Sequence, residues 1–318
     1  MRIGIDLGGT NIAAAVVDES NHIVVKDSVP TKNQRSFEEI VRDMGTLCLD
    51  LTERAGLTLG EIKSVGIGSP GTPDIARGRL LYANNLHWDD VPLCDELKKY
   101  LGDRTFYLDN DANCAALGEY IAGAGEKFRT SVMVTLGTGV GGGIIIDDRV
   151  YSGHNFAGGE IGHIVIVTGG VLCTCGRRGC WENYASVTGL IRMADEAADR
   201  YPDSLLNACR RTDGRLNGRN IFEAAKAGDA VAKAVVDKYI YYVAEGITNI
   251  LNIFQPDGIV VGGGISNEGD YLLDPIRAQV ARDRYCKHVP APEIIKAQLG
   301  NDAGIIGAAI VGDYQMHS

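Results

Sequence analysis

Residues 131–147, SVMVTLGTGVGGGIIID, repeat a pattern that first occurs at residues 2–17, RIGIDLGGTNIAAAVV. In both segments a run of apolar, largely β-branched residues enters a glycine-rich stretch, and a second apolar run leaves it. Such runs predict two β-strands joined by a turn. In the later copy we expect the turn at Gly137–Gly143 and the returning strand at Ile144–Asp147. A duplicated strand–turn–strand unit indicates two similar α/β lobes that face each other across a cleft.

The first of these glycine turns is compatible with two roles. Because glycine has no Cβ, the backbone at Gly8 and Gly9 can approach a ligand closely. Successive N–H groups and the Thr10 hydroxyl would then form a phosphate cradle, although a plain hairpin turn explains the same residues. The two turns together are more informative than either alone, since two cradles on opposite walls suit the two ends of a triphosphate.

A third glycine run, Gly262–Gly264, follows a buried strand predicted at Gly258–Val261. Only glycine lets a flat ring lie directly on the backbone, so the run predicts a platform for adenine or ribose, with a structural turn as the alternative. Apolar periodicity and capping residues predict the helices. Their expected starts are Ser36, Ala112, Ser186, Asp229 and Ala303, whereas residues 202–220 are expected to form a surface connection.

Polar side chains crowd the junction where a strand predicted at Thr105–Leu108 is followed by a helix. Asp109, Asn110 and Asp111 come directly after that strand. An Asp at a helix N-terminus is commonly a cap, but capping does not require three acceptors. Since positioned bases are typically held on rigid junctions, we predict a catalytic role for Asp111, with simple capping as the alternative.

Two further loops are candidates for ligand contacts. Residues 69–72, SPGT, follow a buried strand predicted at Ser64–Gly68, and ligands of open α/β sheets collect at the carboxyl ends of strands. Residues 84–88, NNLHW, supply several hydrogen-bonding groups. This second loop suits either the lining of a cleft for a polar small molecule or a solvated turn.

Residues 158–182, GGEIGHIVIVTGGVLCTCGRRGCWE, contain four side chains of the kinds that bind zinc. They are three thiols within one glycine-rich loop and one imidazole before it: His163, Cys173, Cys175 and Cys180. This Cys₃His set predicts a closed, structural zinc site. Reduced core cysteines are the alternative, but glycine and arginine neighbours are not typical of an apolar core. Glu160 and Glu182 bracket the cluster, so a metal there would also fix two carboxylates in space.

The overall composition restricts the partners and the compartment. The 318 residues carry a formal net charge of −10 and are 45% hydrophobic, as in a soluble globular protein without a nucleic-acid partner. Eight cysteines are too sparse for a disulfide framework, so a reducing, cytoplasmic location is expected. Asp6 interrupts the first apolar run, and no stretch approaches the ~20 apolar residues of a membrane span. We therefore expect neither a signal peptide nor a membrane partner.

The motifs taken in order resemble those of the ROK family (repressor, open reading frame, kinase) of sugar kinases. The resemblance extends from Asp6 to the final helix, and within the family it is strongest to bacterial glucokinases. The cysteine pattern is specific to this family, whereas the glycine turns are shared more widely. The motifs are DxGGT at 6–10, NDAN at 110–113, LGTGxGGG at 136–143, GGEIGH at 158–163 and CxCGxxGCxE at 173–182.

The resemblance implies the α/β actin-like ATPase (ribonuclease H-like) fold, with two similar lobes and an interlobe cleft. The smaller lobe is expected at residues 1–115 and 303–318, and the larger at 116–302. The implied reaction transfers the γ-phosphoryl group of ATP, with Mg²⁺, to the 6-hydroxyl of a hexose, with glucose as the expected substrate. N-acetylmannosamine kinase and fructokinase are the alternatives, and polyphosphate as donor stays open. A homodimer is also expected.

A sugar-sensing transcriptional regulator of the same family is the remaining alternative. Such regulators carry a DNA-binding module before the first glycine turn, and a turn that begins at residue 7 leaves no room for one. The acidic net charge also disfavours this alternative.

The resemblance also assigns roles to individual residues. Asp111 is expected to be the general base that accepts the hydroxyl proton. Contacts to the sugar are implied for Gly71, Asn85, Asn110, Glu160, His163 and Glu182. Contacts to phosphates, Mg²⁺ or adenosine are implied for Asp6, Gly8, Gly9, Thr10, Asn11, Thr138, Gly139, Gly263 and Gly264. With zinc on one ring nitrogen of His163, the other N–H is left to donate to the sugar.

Overall fold

The structure is a computed structural model that describes residues 1–315, and the chain forms two compact units. Unit 1 contains Met1–Met133, Gly143–Gly159 and the C-terminal segment from Ala297. Unit 2 contains Val134–Gly142 and Glu160–Lys296. This division places residues 116–133 with the N-terminal part of the chain, whereas the smaller lobe predicted from the sequence ends at residue 115.

The described residues form thirteen strands and ten α-helices, which follow one another in runs. The strands are β1 (Arg2–Leu7), β2 (Asn11–Val17), β3 (Ile23–Pro30), β4 (Ser64–Ser69), β5 (Thr72–Asp74), β6 (Arg79–Ala83), β7 (Trp88–Val91), β8 (Thr105–Asn110), β9 (Ser131–Leu136), β10 (Val140–Ile146), β11 (Arg149–Val150), β12 (Gly258–Gly262) and β13 (Glu293–Lys296). The helices are α1 (Phe37–Arg54), α2 (Leu93–Leu101), α3 (Asp111–Ala122), α4 (Glu182–Ala185), α5 (Val187–Arg200), α6 (Leu205–Asp213), α7 (Gly218–Lys226), α8 (Ala230–Phe254), α9 (Asp270–Asp283) and α10 (Asp302–Tyr314). Within residues 1–315, none of these helices combines the length and the apolar character that crossing a bilayer requires.

The two large sheets repeat one topology. Their strand orders are β3-β2-β1-β4-β8 and β11-β10-β9-β12-β13. In the first sheet β1 is antiparallel to β2, with Leu7 opposite Ile12, and parallel to β4. The first glycine turn therefore closes a hairpin, as predicted, and the duplication read from the sequence is confirmed. The parallel strands β1, β4 and β8 end at the same edge of their sheet, and this edge carries the polar junction.

Helix α10 approaches the first sheet unusually closely, because its contact surface and the strands below it carry small residues. A Cβ on Gly66 of β4 would lie 1.7 Å from the carbonyl oxygen of Ala308, and one on Gly307 would lie 1.7 Å from that of Cys114 in α3. The small residues of the helix that was predicted to start at Ala303, AGIIGAAIVG, thus permit this close packing. This packing holds the start of α3 against the ends of the parallel strands.

Helix α1 begins at the predicted capping box. The Ser36 hydroxyl accepts from the Glu39 N–H at 3.3 Å, and the Ser36 N–H donates to Glu39 Oε2 at 3.2 Å. Such a cap contributes about 0.5–2 kcal/mol. The helix buries one face, including Ile40, Val41 and Met44, in the core that covers β1 and β4.

Strand β10 begins earlier than predicted, which corrects the extent of the second glycine turn. The strand starts at Val140, so only Gly137–Gly139 form the turn and the last three glycines of the run belong to the ladder. The reason is packing: a Cβ on Gly143 would lie 2.3 Å from the Cβ of Ala116 in α3. The glycines that resembled a longer turn allow helix and strand to approach.

Residues 202–220 lie largely at the surface, as predicted, but they are helical over most of their length. Helix α6 is capped by Ser204, whose hydroxyl accepts from the Leu206 N–H at 3.2 Å. The capping box of helix α7 joins Asn217 and Asn220. Helix α9 and the small sheet β5-β6-β7 were not predicted.

Candidate functional site

The four predicted zinc ligands lie together in unit 2. Their ligand atoms are all within 4.8 Å of one another. His163 Nδ1 lies 3.6 Å from Cys173 Sγ, and Cys175 Sγ lies 3.6 Å from Cys180 Sγ. Tetrahedral zinc with Zn–S bonds of about 2.3 Å and Zn–N bonds of about 2.0 Å places its ligand atoms roughly 3.5–3.8 Å apart. Both the donor set and its spacing therefore fit a structural zinc ion.

Backbone hydrogen bonds shape the cysteine loop, residues 172–180. The Cys173 N–H donates to the Arg177 carbonyl at 2.8 Å, and the Trp181 N–H donates to the Ile164 carbonyl at 2.8 Å. The Trp181 side chain is fully buried and donates to the Tyr242 carbonyl at 2.7 Å. The loop is thus anchored to the core of unit 2 immediately after its last cysteine.

The thiols of this loop differ in their surroundings. Cys173 and Cys180 are buried, whereas Cys175 is exposed. Burial raises the pKa of the Cys180 thiol to about 12, while the backbone N–H of Arg177 lowers the pKa of Cys175.

The two carboxylates that bracket the cysteine loop occupy different positions. Glu160 is exposed and begins the short turn that contains His163, whose N–H donates to the Glu160 carbonyl at 3.1 Å. Glu182 is the first residue of α4, and its Oε2 accepts from the Val140 N–H at 3.1 Å. A Cβ on Gly139 would lie 2.3 Å from that oxygen. The Glu182 carboxylate, which is predicted to bind the sugar, thus packs against the second glycine turn.

The third glycine run requires glycine at its centre. Gly263 has a φ of +84°, and a Cβ there would lie 2.3 Å from the Leu136 carbonyl oxygen. The Gly263 carbonyl accepts from both the N–H and the hydroxyl of Ser266, at 3.0 and 2.8 Å. Nothing lies within 4 Å of the Cβ position of Gly264. The backbone of this residue is therefore open to contact with a ligand.

In unit 1 two carboxylates interact at the edge of the first sheet. Asp6 is the penultimate residue of β1, and Asp111 is the first residue of α3. Burial, and then the negative charge of Asp111, raise the pKa of Asp6 to about 6. The structure therefore brings the predicted base and the predicted phosphate-side acid into electrostatic contact.

Asn110, and not Asp111, is the N-cap of α3. Its Oδ1 accepts from the Ala112 N–H at 2.9 Å, and its Nδ2 donates to the Gly71 carbonyl at 3.2 Å. The Ala112 N–H also donates to Asp111 Oδ1 at 2.8 Å, so Asp111 takes part in capping beside its neighbour. Gly71 has a φ of +94°, which favours glycine, and Asn110 holds its loop against the junction.

Asn85 lies beside the first glycine turn. A Cβ on Gly9 would be 3.2 Å from the Cβ of Asn85, and the Asn85 carbonyl accepts from Asn33 Nδ2 at 2.8 Å. Asn85 itself is exposed, whereas Trp88 is buried in the core and packs edge-on against Phe37, with ring centroids 5.0 Å apart. In the 84–88 loop, Asn85 therefore forms a polar surface beside the glycine turn, whereas Trp88 anchors the loop in the core.

Sequence reasoning missed a hydrogen-bonded network beneath the junction. The Asp109 side chain is 0% exposed and accepts from Asn113, from Gln315 and from the Asn110 N–H. The sequence did contain an indication of the role of Asp109, since this residue is one of three acceptors at a junction where a single acceptor is enough to cap the helix. For Gln315 it contained none, because no local pattern relates it to a strand more than two hundred positions earlier.

Comparison with known proteins identifies the fold and then the family. The fold is that of the actin-like ATPases: a ROK family glucokinase from Streptomyces griseus, crystallised with glucose and AMPPNP, superimposes with a TM-score of 0.82 at 38% identity, covering 97% of each chain. The ROK family model matches residues 2–313, and the chain belongs to this family. The predicted fold and family are thereby confirmed.

Two curated relatives match over nearly their whole length. A glucokinase of Halalkalibacterium halodurans is 37% identical over 317 residues, which are 99% of this chain and 96% of that protein. A glucokinase of Streptomyces coelicolor is 38% identical over 314 residues, which are 97% of this chain and 96% of that protein.

Proposed function

We propose that the protein is a glucokinase, which transfers the γ-phosphoryl group of ATP to the 6-hydroxyl of glucose. The observation that carries this proposal is the full-length similarity to a glucokinase whose crystal structure contains glucose and AMPPNP. The chain retains the chemistry that the reaction needs: a carboxylate base, two glycine turns and a Cys₃His cluster.

Asp111 is assigned as the general base. Its carboxylate accepts the proton of the 6-hydroxyl while that oxygen bonds to the γ-phosphorus and the bond to the β-phosphate oxygen breaks, releasing ADP. A positioned base contributes ~10²–10⁴ in rate, and the remainder comes from positioning and charge neutralisation. Helix α3 suits this role because Asp111 is its first residue, where Oδ1 accepts from the Ala112 N–H at 2.8 Å and the side chain is held at the strand–helix junction.

Sugar recognition is assigned to the residues that the family resemblance implies. In unit 2, His163 turns Nδ1 toward Cys173, so Nε2 is the nitrogen that donates to a sugar hydroxyl, with Glu160 and Glu182 accepting from others. In unit 1, Asn110, Asn85 and the Gly71 loop supply further contacts. Bound zinc would supply no reaction step; it would fix the tautomer and orientation of the His163 ring.

Nucleotide binding is assigned to the three glycine turns. Phosphate contacts are assigned to the turn at residues 8–11, in which the Gly8 N–H is itself taken by the Asn11 carbonyl at 2.9 Å, and to residues 138–139. Adenosine contacts are assigned to Gly263 and Gly264. Asp6 is placed on the phosphate side, where Mg²⁺ would supply charge neutralisation. A carboxylate with a pKa of about 6 is mostly ionised at neutral pH and so suits a cationic neighbour.

The remaining assignments are a homodimer in the cytoplasm, a structural zinc ion and ATP as donor. They are supported by the family resemblance and, for zinc, by the spacing of the ligand atoms. Light scattering after size-exclusion chromatography tests the dimer, and a mass near that of a single chain would contradict it.

The decisive experiment measures kcat/KM with Mg-ATP for glucose, mannose, fructose and N-acetylmannosamine. Glucose is expected to have the highest value. A higher value for N-acetylmannosamine or fructose would replace glucokinase with one of those kinases, and no turnover of any hexose would overturn kinase activity altogether. A parallel series with polyphosphate tests the donor.

A further inference from the structure

A threonine outside the first glycine turn holds that turn from behind. Thr31 follows β3 and is 0% exposed. Its hydroxyl donates to the Gly8 carbonyl at 2.6 Å, and its backbone N–H donates to the Thr10 carbonyl at 2.8 Å. Two carbonyl oxygens of the turn are therefore engaged by one residue.

The second glycine turn is held in the same way, by a different part of the chain. The Thr188 hydroxyl donates to the Thr138 carbonyl at 2.7 Å, and the Val187 N–H donates to the Gly137 carbonyl at 2.8 Å. Thr31 comes from a strand end and Thr188 from the first turn of α5. The glycine turns of the two strand–turn–strand repeats are thus held by the same kinds of hydrogen bond, although the donors come from unrelated segments of the chain.

This arrangement determines where the N–H groups of the turns point. In a trans peptide unit the carbonyl and the following N–H point in opposite directions. A donor bound to the Gly8 carbonyl therefore fixes the Gly9 N–H so that it points away from that donor. In the second turn, donors bound to the Gly137 and Thr138 carbonyls fix the following N–H groups, those of Thr138 and Gly139, in the same way. Series of N–H groups directed outward form anion sites.

We propose that Thr31 and Thr188 are positioning residues for nucleotide binding: the hydroxyl of each holds the glycine turn of its own unit with the N–H groups of that turn directed outward, toward phosphate. The inference rests on the proposed function, since it takes ATP as the ligand of both turns. Neither threonine needs to touch the nucleotide. Each acts through the backbone that it holds.

Thr31 is buried whereas Thr188 is exposed, and two other threonines provide controls that match Thr31 in burial and both positions in the kind of hydrogen bond. Thr52 in unit 1 and Thr248 in unit 2 are buried, and each hydroxyl donates to a backbone carbonyl, at 2.7 and 2.8 Å. Both bonds lie within a helix, α1 or α8, away from the glycine turns. Thr→Val at these positions removes the same kind of hydrogen bond without affecting a turn.

The test is calorimetric titration of the full-length protein with Mg-AMPPNP and, separately, with glucose. Thr31→Val and Thr188→Val are each expected to weaken AMPPNP binding about 3- to 10-fold, the effect of one hydrogen bond, and to leave glucose affinity unchanged. Thr31→Ser, which keeps the hydroxyl, is expected to restore AMPPNP affinity. Thr52→Val and Thr248→Val are expected to bind AMPPNP as the wild type does.

Four outcomes would count against the inference. Wild-type AMPPNP affinity in both Thr31→Val and Thr188→Val would overturn this inference without affecting the proposed function. Losses of AMPPNP affinity in the two control variants equal to those in the test variants would do the same. An equal loss of AMPPNP and glucose affinity in Thr31→Val, with a lowered melting temperature, would show a structural role only. If the wild type binds no AMPPNP, the proposed function fails and the inference fails with it.

Discussion

Gln315 Nε2 lies 3.1 Å from Asp109 Oδ2 and donates a hydrogen bond that joins the end of α10 to the end of β8. The same Nε2 donates to the Leu108 carbonyl at 2.8 Å. The other oxygen of Asp109 accepts from the Asn110 N–H and from Asn113 Nδ2, both at 2.8 Å. A carboxylate buried this deeply is tolerated because donors surround it. It fixes the strand end two residues before the proposed base.

The first prediction concerns Asp109→Asn. The new amide replaces an accepting oxygen with a donor, so either Asn113 or Gln315 loses its acceptor. We expect the free energy of unfolding to fall by about 1–3 kcal/mol and kcat to fall because Asp111 is less well placed. Urea unfolding and steady-state kinetics measure the two effects.

Glu119→Gln is the control for that variant. Glu119 is also buried, lies on α3 and accepts from backbone N–H groups, including that of Leu299 at 2.7 Å. It lies at the far end of the helix from Asp111, so a similar loss of stability with kcat unchanged is expected. If the two variants lower kcat equally, Asp109 has no special role in positioning the base.

The second prediction concerns the pH dependence of stability through Asp6. Burial and the charge of Asp111 raise the pKa of Asp6 from 3.8 to about 6 in the folded protein. The folded state therefore binds this proton more tightly than the unfolded state does. The resulting stabilisation is complete below about pH 4 and is lost as the pH rises through about 6.

Asp6→Asn removes this titration. At pH 7 the variant is expected to be more stable than the wild type by about 2–3 kcal/mol, with a flatter dependence on pH between about 4 and 6, although its activity falls. Asp18→Asn is the control of opposite sign, because the His22 backbone N–H lowers the pKa of Asp18. Urea unfolding at several pH values tests both, and an unchanged profile in Asp6→Asn would contradict the prediction.

Local patterns predicted much of this fold because their causes are local. The capping box at Ser36, the strand–turn–strand repeats and the four predicted metal ligands each lie within short stretches, so chemistry and spacing are visible together. The actin-like fold then followed from a resemblance carried by those motifs, and the comparisons confirmed it.

The failures have long-range causes. Gly143 belongs to a strand because α3 packs against it, and no neighbour in sequence reveals that contact. Helix α6 was missed in a polar segment; its stability depends partly on Asp229, whose carboxylate accepts from the Leu205 N–H at 2.8 Å. Thr31 and Gln315 act on residues distant in sequence, so only the folded chain shows what they hold.

The third prediction is that Asp111→Asn separates binding from turnover. Asn has the same shape but accepts no proton, so kcat is expected to fall by ~10²–10⁴. Helix α3 stays capped because Asn110 supplies the capping oxygen. Glucose affinity, measured by titration calorimetry, is expected to stay within about threefold of the wild-type value. A change of that size is smaller than the contribution of one hydrogen bond. Retained turnover would remove Asp111 from the mechanism.

The fourth prediction is that Cys175→Ser lowers zinc content and glucose affinity but spares nucleotide binding. Cys175 is the exposed member of the ligand set, so its replacement disturbs no core packing. Backbone hydrogen bonds such as that from Cys173 to Arg177 still hold the loop, and the main loss is the fixed orientation of the His163 ring. Cys209→Ser, outside the ligand set, is the control and is expected to keep zinc and glucose affinity. Elemental analysis and calorimetry with glucose and AMPPNP test both variants. Tight glucose binding by a zinc-free Cys175→Ser protein would show that the cluster does not orient the sugar site.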